Sequence, residues 1–214
     1  MGDVMDRRKY VSYKTATDFR KRFIDRFTEL GINLHIIVGN HDTYYKNTSE
    51  VNSMEELVGQ DRFKIYTFPD VVEFDGTPIL FMPWINSSNY DSSMQALSKS
   101  RADLLMGHLE INGFEMHKGQ LADGNYDSEL FRRFDTVFSG HYHHKSDDGH
   151  IFYLGTPYEI MWNDYDDPKG FHIFDTATRE LERVVNPYKL FKKIFYDDTD
   201  NDYIKHDVDQ YKEC

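Results

Sequence analysis

Ile32-Asn33-Leu34-His35-Ile36-Ile37-Val38-Gly39-Asn40-His41-Asp42 is the stretch on which the fold turns. Its first seven residues are mostly apolar and predict a strand over 32–38 buried on both faces, as strands of parallel sheets are. That strand runs directly into a glycine and three polar side chains of the ligand type. The same grammar recurs twice. Ala102–Met106 leads to Gly107-His108, and Thr136–Ser139 leads to Gly140-His141. Glycine lets the backbone turn sharply and lets a bulky or charged group approach. In open α/β sheets, ligands gather beyond the carboxyl ends of strands, where separate loops converge.

Working outward, residues 15–30 read as a helix, with Phe19, Phe23, Phe27 and Leu30 at helical spacing. Thr15 with Asp18 is the expected cap and Gly31 the expected stop. A short helix is predicted around 52–58 and another over 90–100. Strands are predicted over 63–68, 71–74 and 79–82, the last two joined by Asp75-Gly76, and over 151–154, 171–174 and 181–185. The expected class is α/β, with sheets at the centre and helices outside.

Composition narrows the function. At 214 residues with 15% aromatics, the chain can build the core of one good-sized domain. The net charge of −12 argues against a generic electrostatic nucleic-acid binder. The excess is uneven, however: six Asp against one Lys lie between Asp197 and Asp209, while Arg7-Arg8-Lys9, Arg20-Lys21-Arg22 and Lys189, Lys192, Lys193 are basic. Local binding of DNA therefore stays open. The single cysteine, Cys214, allows no internal disulfide and suits a reducing compartment. The opening MGDVMDRRKY has no apolar core of a signal peptide, and Ile36-Ile37-Val38 is far too short to span a bilayer. A cytoplasmic protein, with no membrane partner, is the expectation.

Five residues form the candidate metal set: Asp3, Asn40, His108, His141 and His143. Oxygen and imidazole donors without thiolate suit Mn²⁺, Fe²⁺, Zn²⁺ or Mg²⁺. On an extended loop His141 and His143 share a face, with Tyr142 turned towards packing. A lone Gly-His, or a histidine-rich polar loop, is ordinarily structural. The whole set, in this order and always at strand ends, is hard to explain as core histidines. The remaining histidines (35, 117, 144, 150, 172, 206) read as structural or surface residues.

Gly2-Asp3-Val4-Met5-Asp6-Arg7, Gly39-Asn40-His41-Asp42, Gly107-His108 and Gly140-His141-Tyr142-His143 together resemble the motifs of the calcineurin-like metallophosphoesterases. Within that superfamily the chain is most similar to the SbcD-type DNA-repair nuclease subunits, in particular to the branch found in T-even-type bacteriophages. The stretches 105–113, 155–158 and 167–175 support that branch, as does Asp42. The resemblance implies a four-layer αββα sandwich and two divalent ions, Mn²⁺ foremost with Mg²⁺ as the alternative. It implies that Asp3 bridges the ions, that Asn40, His108 and His141 complete the second ion's shell, and that His143 reaches the first. His41 would protonate the leaving oxygen or stabilise the transition state, with Asp42 orienting it. The implied partners are DNA and an SbcC-type SMC-like ATPase, with a homodimer in the intact protein. For a phage-borne gene the implied compartment is the host bacterial cytoplasm.

One motif departs from the family. No Asp-x-His precedes Gly2-Asp3, so residues 1–187 are expected to form the nuclease domain without its first strand. Residues 188–214 are expected to be an acidic lead-in to a capping domain. Four buried apolar side chains of such a strand represent about 6–12 kcal/mol at roughly 1.5–3 kcal/mol each, comparable with a whole domain's margin of about 5–15 kcal/mol. The expectation is a chain that folds poorly alone, or whose missing strand another polypeptide supplies. Two further readings stay open: an inert accessory subunit, and a phosphatase or cyclic-nucleotide phosphodiesterase of the same superfamily.

Overall fold

Helix formation begins at Ser12 in the computed structural model, which describes residues 1–58, 63–195 and 199. The Ser12 hydroxyl accepts from the Thr15 amide at 3.1 Å, satisfying one of the donors that a helix start leaves free. The cap therefore lies before Thr15, and Asp18 pairs instead with Lys14. Three joined pieces follow: α1 (Tyr13–Phe19), a π-helical turn (Arg20–Ile24) and α2 (Asp25–Glu29). Phe19, Phe23 and Phe27 stay in register, with ring centroids 5.2 and 4.8 Å apart. Gly31, at φ 66°, ends the helix in the left-handed conformation that glycine adopts most readily.

The chain continues through β1 (Leu34–Ile37), α3 (Ser53–Val58), β2 (Phe63–Tyr66), β3 (Asp70–Phe74), β4 (Thr77–Met82) and α4 (Tyr90–Lys99). Then come β5 (Leu104–Gly107), β6 (Glu115–His117), β7 (Gln120–Leu121), β8 (Thr136–Ser139) and β9 (Ser146–Asp147). β10 (Ile151–Tyr153), β11 (Gly170–Phe174) and β12 (Leu181–Val185) complete the set. β6, β7 and β9 went unforeseen, because two or three residues carry no readable period.

Six strands form the central sheet in the order β3-β4-β5-β8-β10-β9. β4, β5, β8 and β10 run parallel, and the edge strands β3 and β9 are antiparallel. The alternation of strand side chains sorts the core. Leu80, Met82, Leu105, Val137 and Tyr153 face one way, against Leu97 of α4. Ile79, Phe81 and Leu104 face the other way, against Ile37 and Tyr66 of the parallel pair β1–β2, with Phe174 of β11 beside them. Phe138 meets Phe174 edge-on at 4.9 Å, which seats the β11–β12 hairpin over β8. Ile36 turns outward to Met54 of α3 and Phe19 of α1. The layers are therefore helix, sheet, sheet, helix, the αββα sandwich of the metallophosphoesterases.

The layer over the central sheet is divided. Among the described residues β1 is hydrogen-bonded only to β2, and β11 only to β12. The outer face of the hairpin leaves Phe171, Ile173 and Val185 exposed. The acidic residues between Asp197 and Asp209 lie outside the described residues. No helix among the described residues is long and apolar enough to cross a membrane.

Candidate metal centre

The tips of β1, β5 and β8 meet under the first residues of the chain. Gly39 is required by that approach: a Cβ there would collide with the backbone nitrogen and carboxylate of Asp3. Asp3 (φ 54°) and His141 (φ 81°) both adopt the left-handed conformation. Such residues cost of order 1–3 kcal/mol each and persist where surrounding contacts hold them.

Four donor groups converge at this point. His108 Nε2 lies 2.9 Å from Asn40 Oδ1 and 3.2 Å from Asp3 Oδ2. His141 Nδ1 lies 3.0 Å from Asn40 Oδ1 and 3.1 Å from His108 Nε2. Ligands bound at about 2.1 Å to one octahedral cation stand about 3.0 Å from their neighbours. The spacing and the donor chemistry therefore fit a divalent ion. Turned over, the Asn40 amide would instead donate to both rings and to Asp3 Oδ2, and its oxygen would accept from Arg8 at 3.1 Å.

The surroundings fix the ligating atoms. His108 Nδ1 donates to the Met1 carbonyl at 2.9 Å, so that in the neutral ring the Nε2 lone pair faces the centre. Burial disfavours charge on His108, but the charge and hydrogen bond of Asp3 outweigh it and raise the pKa. The same pairing overcomes burial at Asp3, lowering its pKa to about 2. His141 is pushed down to about 3, first by burial and then by His108. A neutral His141 is the form that ligates.

Asp42 does not hold the His41 ring, contrary to the role expected for it. It is fully buried, and its oxygens accept from the amides of Asp3, Met5 and Gly39 at 2.8, 3.0 and 2.9 Å. The carboxylate thus fastens the Asp3 loop to the tip of β1. His41 is oriented instead by the Asp6 carbonyl, which accepts from Nδ1 at 2.8 Å, while the His41 amide donates to Asp3 Oδ1 at 2.6 Å.

Asp3, Asn40, His108 and His141 come together, with His41 at the edge. His143 is grouped elsewhere, with His117 and Asp164, each offering a donor atom within 4.8 Å of the others. Tyr142 packs as expected: its ring stacks on Tyr153 at 4.4 Å and its hydroxyl donates to the Ile111 carbonyl. Asp6 lies within the first motif and Arg8 just after it, but the hydrogen bond of one and the neighbours of the other depend on tertiary folding. The Arg8 guanidinium lies 5.7 Å over the Trp84 ring.

The calcineurin-like phosphoesterase family matches residues 1–145. The chain is 35% identical over 196 residues to "Exonuclease subunit 1" of Enterobacteria phage T4, covering 91% of this chain and 57% of that protein. It is 23% identical over 223 residues to a nuclease SbcCD subunit of Staphylococcus saprophyticus, covering 90% of this chain and 58% of the relative. The chain thus spans a little over half the length of these relatives. The matched segment contains all three strand tips and every donor of the four-fold cluster, and on that match the chain belongs to the calcineurin-like phosphoesterase family.

Proposed function

We propose that the chain is a nuclease subunit, or part of one, that hydrolyses DNA phosphodiesters with divalent metal ions in break repair and recombination. The observation that carries this reading is the convergence of Asp3, Asn40, His108 and His141 at about 3 Å spacing. Both relatives named above are nuclease subunits by name. Those names also support a partner subunit, which the sequence resemblance identifies as an SMC-like ATPase, with dimerisation in the intact assembly.

Asp3, Asn40, His108 and His141 would hold one ion, and Asp3 is placed at the edge of that shell to share a second. Mn²⁺ is the proposed metal, with Mg²⁺ the alternative, because two oxygens join two imidazoles. When bound, the ions supply positive charge for the attacking and departing oxygens of the phosphate.

The chain's own groups supply the rest. A carbonyl only accepts, so the Asp6 contact keeps a proton on His41 Nδ1 and turns Nε2 outward. A proton at Nε2 can pass to the departing oxygen, the general-acid role. Asp42 holds the two loops in register. Arg8, with Arg7 and Lys9 beside it, puts positive charge next to the centre and makes DNA binding a local matter in an acidic chain.

One observation favours the reading of an inert accessory subunit: His143 stands outside the Asp3 cluster. The test is turnover of a small phosphodiester, a phosphomonoester and duplex DNA by the purified chain with Mn²⁺. The proposal expects the diester and DNA to be cleaved, and both activities to vanish with chelator. Turnover of the monoester alone, or of nothing, contradicts it.

A further inference from the structure

His117 ends β6, His143 follows β8, and Asp164 closes the short 3-10 turn Trp162–Asp164, so three separate segments deliver one cluster. We propose that His117, His143 and Asp164 form a second, distinct binding site for a borderline divalent cation of the Zn²⁺, Co²⁺ or Fe²⁺ class. The site is defined by this cluster alone and is independent of the phosphodiesterase reading.

Two buried nitrogens lack a partner here: Nδ1 of His117 and Nδ1 of His143 have no hydrogen bond. Leaving a buried polar atom unsatisfied costs about 1–3 kcal/mol, and a cation removes that cost for a lone pair. The rings are nearly perpendicular, at 85° with centroids 5.8 Å apart. Imidazole lone pairs lie in the ring plane, so this crossing lets two of them aim at one point.

Asp164 is oriented for the third position. Oδ2 accepts from the amides of Ile160 and Met161 at 2.9 and 3.0 Å, and Oδ1 accepts from Lys169 Nζ at 2.8 Å. These bonds occupy three of the roughly four lone-pair positions of a carboxylate and leave one for a metal. Lys169 also contacts Asp167 at 2.7 Å, so two carboxylates share one ammonium and a negative charge remains. His144 Nδ1 lies 3.0 Å from Asp167 Oδ1 on the far side.

Two imidazoles and a carboxylate are a three-ligand zinc set, with a fourth position open to water or substrate. The larger share of nitrogen distinguishes it from the Asp3 centre and shifts preference away from Mg²⁺ and Mn²⁺.

The test uses the full chain and its His117→Ala and Asn40→Ala variants. Zn²⁺ is counted by elemental analysis after equilibrium dialysis, and Co²⁺ is titrated by its visible absorption. His117 lies half-buried on a short hairpin, so its replacement should leave the circular dichroism spectrum unchanged. His117→Ala should lose one Zn²⁺ equivalent and roughly tenfold or more in Co²⁺ affinity, whereas Asn40→Ala should keep that site. The imidazole resonances of His117 and His143 should shift together on Zn²⁺ addition to the unaltered chain. Wild-type stoichiometry and affinity in His117→Ala would overturn the site, as would unmoved His117 and His143 resonances. Neither result bears on DNA cleavage, so the phosphodiesterase reading stands or falls separately.

Discussion

At the scale of single residues, chemistry and scaffolding are carried by neighbouring side chains that must not be confused. His41 touches the centre only through its backbone amide, and its ring is anchored on the Asp6 carbonyl. His41→Ala should therefore slow phosphodiester cleavage by about 10²–10⁴-fold while leaving Mn²⁺ affinity unchanged, as read by steady-state kinetics and metal titration. Lys169 illustrates the opposite case. It is buried against Asp164 and Asp167, where burial alone would raise both carboxyl pKa values but the ammonium and further hydrogen bonds outweigh it and lower them. A depressed folded pKa stabilises fully above the unfolded value, about 4 for Asp, and the contribution is lost as pH falls through the depressed value. Lys169→Met should cost about 3–5 kcal/mol at pH 7. It should also flatten the loss of stability below about pH 4, as measured by urea melts across that range.

At the scale of elements, β1, β5 and β8 each deliver a glycine and then a ligand-type residue to one end of the fold. That much was legible in the sequence, because three apolar runs ending alike in glycine and a metal-binding side chain are not expected by chance. The partition of the histidines was not. Alternation along an extended loop predicts one face for His141 and His143, but φ of 81° at His141 breaks the alternation, and the two rings enter different clusters. His117 was equally illegible, since β6 is three residues long and shows no period. The Asp42 assignment failed for a related reason: three amides from two distant segments compete for its oxygens, and only tertiary structure brings them there. The close approach at Gly39 gives a sharp test of the element-level packing. Gly39→Ala should displace Asp3 and weaken Mn²⁺ binding at least about tenfold, with the helical circular dichroism retained.

At the scale of the molecule, the central sheet is continuous but the layer above it is two ribbons, β1–β2 and β11–β12. The exposed apolar stripe of Phe171, Ile173 and Val185 belongs to the second ribbon. Exposed apolar stripes of this kind promote association. Phe171→Ser combined with Ile173→Thr should change stability by about 0.5 kcal/mol or less per site while reducing self-association in sedimentation velocity. The αββα layering followed from strand order and burial pattern. The division of one layer did not, because hydrogen-bond partners of a strand are invisible in its own residues.

The central claim is that Asp3, Asn40, His108 and His141 bind one divalent cation together. Electron paramagnetic resonance of Mn²⁺ measures this directly, since the free-ion signal falls as the ion is bound. The account predicts saturable depletion of that signal by the chain, weakened at least about tenfold in both Asn40→Ala and His108→Ala. Depletion of equal depth and affinity in the chain and both variants would contradict it.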